Sequence, residues 1–176
     1  MVDFDLDKAI RKVKDFPKPG ILFYDITSIF TNVEAFKWII DKSYELYKGQ
    51  KIDAILAVES RGFIFASPLA YKLGIPLVLA RKAGKLPGKT IKQSYSLEYG
   101  EATLEVHVED IKKSQNILII DDLIATGGTL KACIGLIEKL DANVHSIFGI
   151  IGLPFLNYEK VLAGYKINTL INYHSE

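Results

Sequence analysis

Cysteine is nearly missing from this chain: Cys133 stands alone among 176 residues, so no disulfide can close within it. That fits a reducing compartment. Cys133 falls on the apolar side of a predicted helix, which makes it a buried structural thiol rather than a nucleophile. Long apolar runs are missing too, since no stretch reaches the ~18 residues that a membrane span needs. The opening Met1–Asp7 stretch is acidic and has no apolar core, so no signal peptide is expected and the expected location is cytoplasmic. Neither sign of charge is in excess. With 22 Lys and Arg against 21 Asp and Glu the net charge is +1, and no global field points to nucleic acid or to an anionic membrane. Repeats, low-complexity tracts and linkers are absent. What remains is 49% hydrophobic residues in a length that suits one domain with a substantial core.

Short apolar runs alternate with helical stripes. Ile52–Val58, Ile75–Ala80, Ile117–Ile120 and Val144–Leu153 read as strands. Glu101–Val108 reads as a half-exposed strand, with Ala102, Leu104, Val106 and Val108 against Glu101, Thr103, Glu105 and His107. Helices are predicted over Asp5–Val13, over Val33–Lys48 with Asn32 as cap, and over Phe63–Leu73 ended by Gly74. Another starts at Thr129, along the stripe Leu130, Cys133, Ile134, Ile137 and Leu140. Phe16–Gly20, with two prolines and a glycine, breaks the first helix, and Lys82–Lys92 reads as a long basic loop. The alternation predicts an α/β fold with a mostly parallel central sheet flanked by helices. In such sheets ligands bind beyond the C-terminal ends of the strands.

Two chemically pointed segments fall at such ends. In the first, the run Ile117–Ile120 meets Asp121 and Asp122, then the small turn Ala125-Thr126-Gly127-Gly128 before Thr129. Backbone N–H groups at a helix start can hold an anion, and Thr126 and Thr129 add hydroxyl donors. Gly127 and Gly128 are expected to take positive φ and to let a ligand come close. Two carboxylates suit hydroxyl groups or a phosphate-bound Mg²⁺ rather than phosphate itself. Phosphate and diol recognition side by side suggests a phosphorylated sugar. The second segment is Glu59-Ser60-Arg61-Gly62, in which Ser60 and Gly62 can present N–H groups and Arg61 offers a fork of donors for phosphate.

Further along, Arg81, Lys82, Lys85, Lys89 and Lys92 gather five cations and no acid around Gly84, Pro87 and Gly88. Glu98 lies in the aromatic setting Tyr95-Ser96-Leu97-Glu98-Tyr99-Gly100. Phe16–Thr27 combines a proline turn with an apolar strand. Taken singly, these segments also read as a strand–turn–helix junction, a tight turn, a solvated basic loop, a strand-end carboxylate and a loop beside an apolar strand.

In order and in detail they resemble a known family. Ile117–Thr129 resembles the phosphoribosyl pyrophosphate signature of type I phosphoribosyltransferases. Glu59–Phe63, Tyr95–Gly100 and Phe16–Thr27 resemble segments of its adenine phosphoribosyltransferases, and the likeness spans roughly 16–151. The resemblance implies the type I phosphoribosyltransferase fold, with a small hood near residues 16–30 and 154–176 and a flexible catalytic loop over 82–97. It implies conversion of adenine and phosphoribosyl pyrophosphate to AMP and pyrophosphate, with Mg²⁺, by a homodimer. Ala125, Thr126, Gly127, Gly128 and Thr129 are then the 5′-phosphate loop, and Asp121 and Asp122 hold the ribose hydroxyls or the metal through the substrate. Glu59, Ser60, Arg61, Gly62, Arg81, Lys82 and Lys85 become pyrophosphate residues, with a cis peptide at Glu59–Ser60. Leu22, Phe23 and Tyr24 become adenine residues, with Phe23 stacking on the base, and Glu98 becomes the proton-transfer residue. Tyr24 departs from the Arg or Lys usual there. Hypoxanthine–guanine enzymes usually carry Asp where this chain has Ala125, and orotate enzymes lack the Phe16–Thr27 and Tyr95–Gly100 strings. A regulator that keeps the fold without turnover usually loses the loop cations, which are present here.

Overall fold

The computed structural model describes residues 4–96 and 100–175. In chain order the elements are α1 (Leu6–Ala9), β1 (Arg11–Lys14), β2 (Leu22–Asp25), α2 (Thr27–Phe30), α3 (Val33–Tyr47), β3 (Ala54–Val58), α4 (Gly62–Leu73), β4 (Leu77–Lys82) and β5 (Thr90–Ser96). After these come β6 (Glu101–His107), β7 (Asn116–Ile124), α5 (Gly128–Lys139), β8 (Asn143–Gly152), a 3₁₀ turn (Pro154–Leu156), α6 (Tyr158–Val161) and β9 (Ile167–Asn172). Seven strands form one sheet in the order β5-β6-β4-β3-β7-β8-β9, and β1 and β2 form a separate two-stranded hairpin. From β4 through β3, β7 and β8 to β9 the pairing is parallel, while β5 and β6 are antiparallel additions at one edge.

The apolar runs explain the centre of this sheet. All five residues of β3 are buried, as are Ile117–Ile120 of β7. Side chains alternate across a strand. Leu118 and Ile120 therefore join the core under α3 and α4, while Ile117 and Ile119 join the core under α5. Each such side chain contributes about 1.5–3 kcal/mol when fully buried. Asn32 caps α3, its side chain accepting the Ala35 N–H at 3.0 Å, and Gly74 ends α4 at φ 69°.

Four expectations are corrected. The helix predicted over Asp5–Val13 is a single turn, because Arg11–Lys14 pairs antiparallel with Leu22–Asp25. Of the loop expected over 82–97, Lys82 ends β4 and Thr90–Ser96 pairs with β6 residue by residue, leaving 83–89 as connection, while Leu97 lies outside the described residues. The C-terminal segment assigned to the hood contributes β9 to the main sheet, and only its last residues reach the hairpin. Glu105 does not face solvent: it is 1% exposed.

Candidate active site

β3 and β7 are adjacent parallel strands, but the chain leaves them in opposite directions, β3 toward β4 and β7 toward β8. Divergence of this kind opens a crevice at the C-terminal strand ends. Here it is a cleft of about 400 Å³ lined by Glu59, Ser60 and Arg61 after β3, by Asp121, Asp122 and Leu123 of β7, by Ala125 and Thr129, and by Lys82 and Tyr95.

The two aspartates play different parts. Asp122 is 4% exposed, and its Oδ2 accepts from Arg61 Nε at 2.6 Å. Asp121 Oδ1 accepts the backbone N–H of Asp122 at 2.8 Å. Burial and the neighbouring Asp122 carboxylate push the Asp121 pKa well above the usual carboxylate range. A carboxyl in that state favours a hydroxyl or an arriving cation over an anion. The peptide Glu59–Ser60 is cis, as the resemblance implies. Gly62 starts α4 directly against β7: a Cβ there would stand 3.0 Å from the Ile120 carbonyl oxygen and 3.2 Å from Asp121 Cα. The missing side chain is what lets the Ser60–Arg61 turn lie beside the aspartates.

Glu59 faces the basic loop. Its Oε2 accepts the Lys82 N–H at 2.8 Å and Arg81 Nε at 3.3 Å, and Oε1 accepts Arg81 Nη2 at 3.4 Å. Burial alone would raise its pKa, but the Lys82 N–H and the Arg81 guanidinium outweigh burial and hold it low. Of the expected cationic positions, Lys82 lines the cleft, whereas Arg81 is engaged with Glu59 and Lys85 is exposed on the loop. Replacing Glu59 by Gln is expected to cost about 1–3 kcal/mol of stability at neutral pH. A lowered pKa makes this contribution present above the ordinary value of 4.5 and lost as pH falls through the folded value. Thermal unfolding of wild type and Glu59→Gln should therefore converge in acid. A gap that does not change with pH contradicts this.

Beside the cleft, a hollow of about 70 Å³ is lined by Asp121, Ala125, Thr126, Gly127 and Thr129 together with Leu123, Ile124 and Leu130. α5 begins at Gly128, so the unpaired N–H groups of its first turn sit at this hollow. Gly127 has φ 86°, and a Cβ there would meet Leu162 at 3.2 Å and Tyr158 at 3.3 Å. Gly128 was expected to share the positive φ but is the first residue of the helix.

The β1–β2 hairpin forms the third part. An apolar pocket of about 400 Å³ is lined by Val13, Phe16, Phe23, Tyr24, Asp25, Ile26 and Thr27, and by Arg61 and Leu123. Arg61 and Leu123 are thus common to the polar cleft and the apolar pocket. Phe23 and Phe16 are exposed and meet edge to face at 5.0 Å, which offers aromatic surface to a flat ring. Leu22 packs against the core instead of lining the pocket. The Tyr24 ring is buried, stacked on Tyr173 at 3.7 Å, and its hydroxyl donates to the Ser175 carbonyl at 3.3 Å. Where a cation was expected, the chain thus places an aromatic that ties the hairpin to the C-terminal segment. Asp25 is held low by the Thr27 hydroxyl, at 2.6 Å, and Thr27 N–H, and its other oxygen pairs with Arg11 at 3.1 Å.

Sequence reasoning did not single out Phe16 or Leu123 for the site. Phe16 carried a signal, as a second aromatic bracketing the same turn as Phe23. Leu123 carried none, because its place depends on which strand end lies beside the hairpin. Glu98 lies outside the described residues. Cys133 is buried, and burial raises its pKa, in keeping with a structural thiol.

Comparison with known proteins shows the family of the chain. Residues 25–151 match the phosphoribosyl transferase domain family. An adenine phosphoribosyltransferase of Treponema denticola is 57% identical over 176 residues, which is 100% of this chain and 93% of that protein. One from Borreliella afzelii is 47% identical over 95% of both. The crystal structure of the Thermoanaerobacter pseudethanolicus adenine phosphoribosyltransferase superposes with a TM-score of 0.91 at 44% identity, covering 96% of this chain and 98% of that one. The Saccharomyces cerevisiae enzyme, solved with adenine and an imino-altritol bisphosphate, gives a TM-score of 0.87 at 39% identity, covering 94% of this chain and 96% of that one.

Proposed function

Because the chain belongs to the phosphoribosyltransferase family, among its adenine phosphoribosyltransferases, we propose that the cleft and the apolar pocket bind the two substrates of that reaction, phosphoribosyl pyrophosphate and adenine. The observation that carries the assignment of the two pockets is their junction: a polar crevice and an aromatic pocket share Arg61 and Leu123 as a common wall. A ribose held at that junction has phosphates on one side and a base on the other.

The residues then divide the work. Ala125, Thr126, Gly127, Gly128 and Thr129 take the 5′-phosphate on the N–H groups of the first turn of α5. Asp121 and Asp122 take the ribose hydroxyls. Ser60, Arg61 and Lys82 face the leaving pyrophosphate, while Arg81, Lys85 and the Gly62 backbone stand behind them. Glu59 serves this set indirectly, by holding Arg81 and the Lys82 N–H. Phe23 stacks on adenine, Phe16 closes its edge, and the main chain of Leu22–Tyr24 reads it, the Tyr24 ring being committed to Tyr173. As the bond from C1 to pyrophosphate breaks, positive charge develops on the sugar and negative charge on the leaving group. Fixed cations on one side and carboxylates beneath the ribose match that separation. Glu98 is the residue that accepts the purine proton, on the strength of the Tyr95–Gly100 string.

Mg²⁺ fits the donors present in one particular way. No group of three or more His, Cys, Asp or Glu that could cage a metal occurs among the described residues. Two adjacent carboxylates, one of them engaged by Arg61, suit a hydrated ion that arrives on the pyrophosphate, near Asp121 and Asp122. When bound, the ion neutralises charge on the leaving group. A homodimer is part of the proposal: Ile64 and Tyr71, seven residues apart on α4, are 43% and 88% exposed on the helix that follows the Ser60–Arg61 turn. So is a cytoplasmic location, because phosphorylated substrates do not cross membranes unaided.

The test is nucleotide formation from phosphoribosyl pyrophosphate and Mg²⁺ with adenine, hypoxanthine, guanine and orotate in parallel. Turnover with adenine alone is expected. Turnover with an oxopurine instead would leave the phosphate sites standing and overturn the base pocket.

A further inference from the structure

We infer that Glu105 is a positioning residue for the reaction: its buried carboxylate fixes the main chain of the loop 83–89, which carries Lys85 and Lys89 and continues from Lys82 in the wall of the cleft. The inference rests on reading the cleft as the phosphoribosyl pyrophosphate site. Glu105 lies on β6, registered with Arg81 of β4 on one side and Lys92 of β5 on the other. At 1% exposure a carboxylate must find partners, and its partners come from the loop and from the start of β5. Oε1 accepts the N–H of Lys85 at 2.9 Å and of Leu86 at 3.0 Å. Oε2 accepts the Thr90 hydroxyl at 3.1 Å and stands 3.7 Å from Lys92 Nζ. Burial works against its ionisation, but the Leu86 N–H, the Thr90 hydroxyl and the Lys85 N–H outweigh it and hold the carboxyl below its ordinary range.

Residues 83–89 form no helix or strand, so their N–H groups depend on acceptors outside the loop. One end is held by Glu59, through the Lys82 N–H at 2.8 Å, and by Thr103, whose carbonyl accepts the Ala83 N–H at 2.9 Å. The middle is held by Glu105. Without that carboxylate the Lys85 N–H keeps only the 3.2 Å bond to the Lys82 carbonyl, and the Leu86 N–H loses its acceptor. Glu105 does not line the cleft. It acts through the loop backbone.

The test uses the full chain with Glu105→Ala and, as the milder change, Thr90→Val. The readouts are KM for each substrate, the melting temperature, and the rate of tryptic cleavage after Lys85 and Lys89 in the native protein. Glu105→Ala, which removes the oxygen that accepts the Lys85 and Leu86 N–H groups, is expected to raise KM for phosphoribosyl pyrophosphate about ten-fold or more, with KM for adenine unchanged within about two-fold. Thr90→Val is expected to raise the same KM about three-fold. In both variants cleavage in the loop accelerates and cleavage elsewhere does not. If Glu105→Ala does not fold, Thr90→Val decides. Unchanged KM values with unchanged cleavage, or an activity loss that only follows the folded fraction, overturn the inference. A wild type without turnover overturns the reading of the cleft instead, and the cleavage pattern then decides alone whether Glu105 holds the loop.

Discussion

Glu98→Gln is expected to lower kcat with adenine by about 10²–10⁴-fold while KM for either substrate stays within a few-fold. Adenine attacks the ribose through a ring nitrogen that must shed its proton, and the proton needs an acceptor at that moment. Gln keeps the size and hydrogen-bonding reach of Glu but cannot accept a proton. Ala125 occupies the position where an acid serves the oxopurine enzymes, and its methyl group cannot take the role. Steady-state kinetics at saturating adenine reads the effect. An unchanged kcat would remove Glu98 from proton transfer.

Arg61→Ala is expected to weaken phosphoribosyl pyrophosphate binding by about 10–100-fold, the value of one or two charge-assisted hydrogen bonds. Adenine binding should fall as well, by a smaller factor, because Arg61 lines both pockets. The change also leaves the Asp122 carboxylate, 4% exposed, without its 2.6 Å partner. Arg61 itself is about half exposed while Asp122 is buried, so the stability cost falls between those of exposed and buried ion pairs, about 1–3 kcal/mol. Adding Asp122→Asn to Arg61→Ala should recover stability, since the orphaned charge is gone, without recovering affinity. Calorimetric titration and thermal unfolding of the single and double variants separate the two effects. Wild-type affinity in Arg61→Ala would take the guanidinium out of the substrate site.

The legible parts of the sequence were those that depend on neighbours in the chain. Ile117–Ile120 announces a strand buried on both faces, and Asn32 with the Val33–Tyr47 stripe announces a capped helix. The glycines at 62 and 127 mark the two strand-end turns, although the reason for Gly62 is contact with Ile120 and Asp121, more than fifty residues away. Long-range pairing decided the rest. Arg11–Lys14 has helical neighbours in the sequence, yet the partner Leu22–Asp25 turns it into a strand. Glu105 occupies an outward position by alternation, yet the loop folded over it supplies donors that make burial tolerable. The resemblance makes Glu59 a pyrophosphate residue, yet Arg81, 22 positions on, claims its carboxylate. In each case, chemistry local to the motif was readable and the identity of the partner was not.

The most direct measurement is a crystal structure of the protein with AMP, the product that is expected to span both pockets at once. The expected density places the phosphate in the hollow at Ala125–Thr129, the ribose against Asp121 and Asp122, and the base beside Phe23 between the hairpin and Leu123. A phosphate bound instead at Lys82, or a base away from the Phe16–Phe23 pocket, would contradict the joined-pocket account.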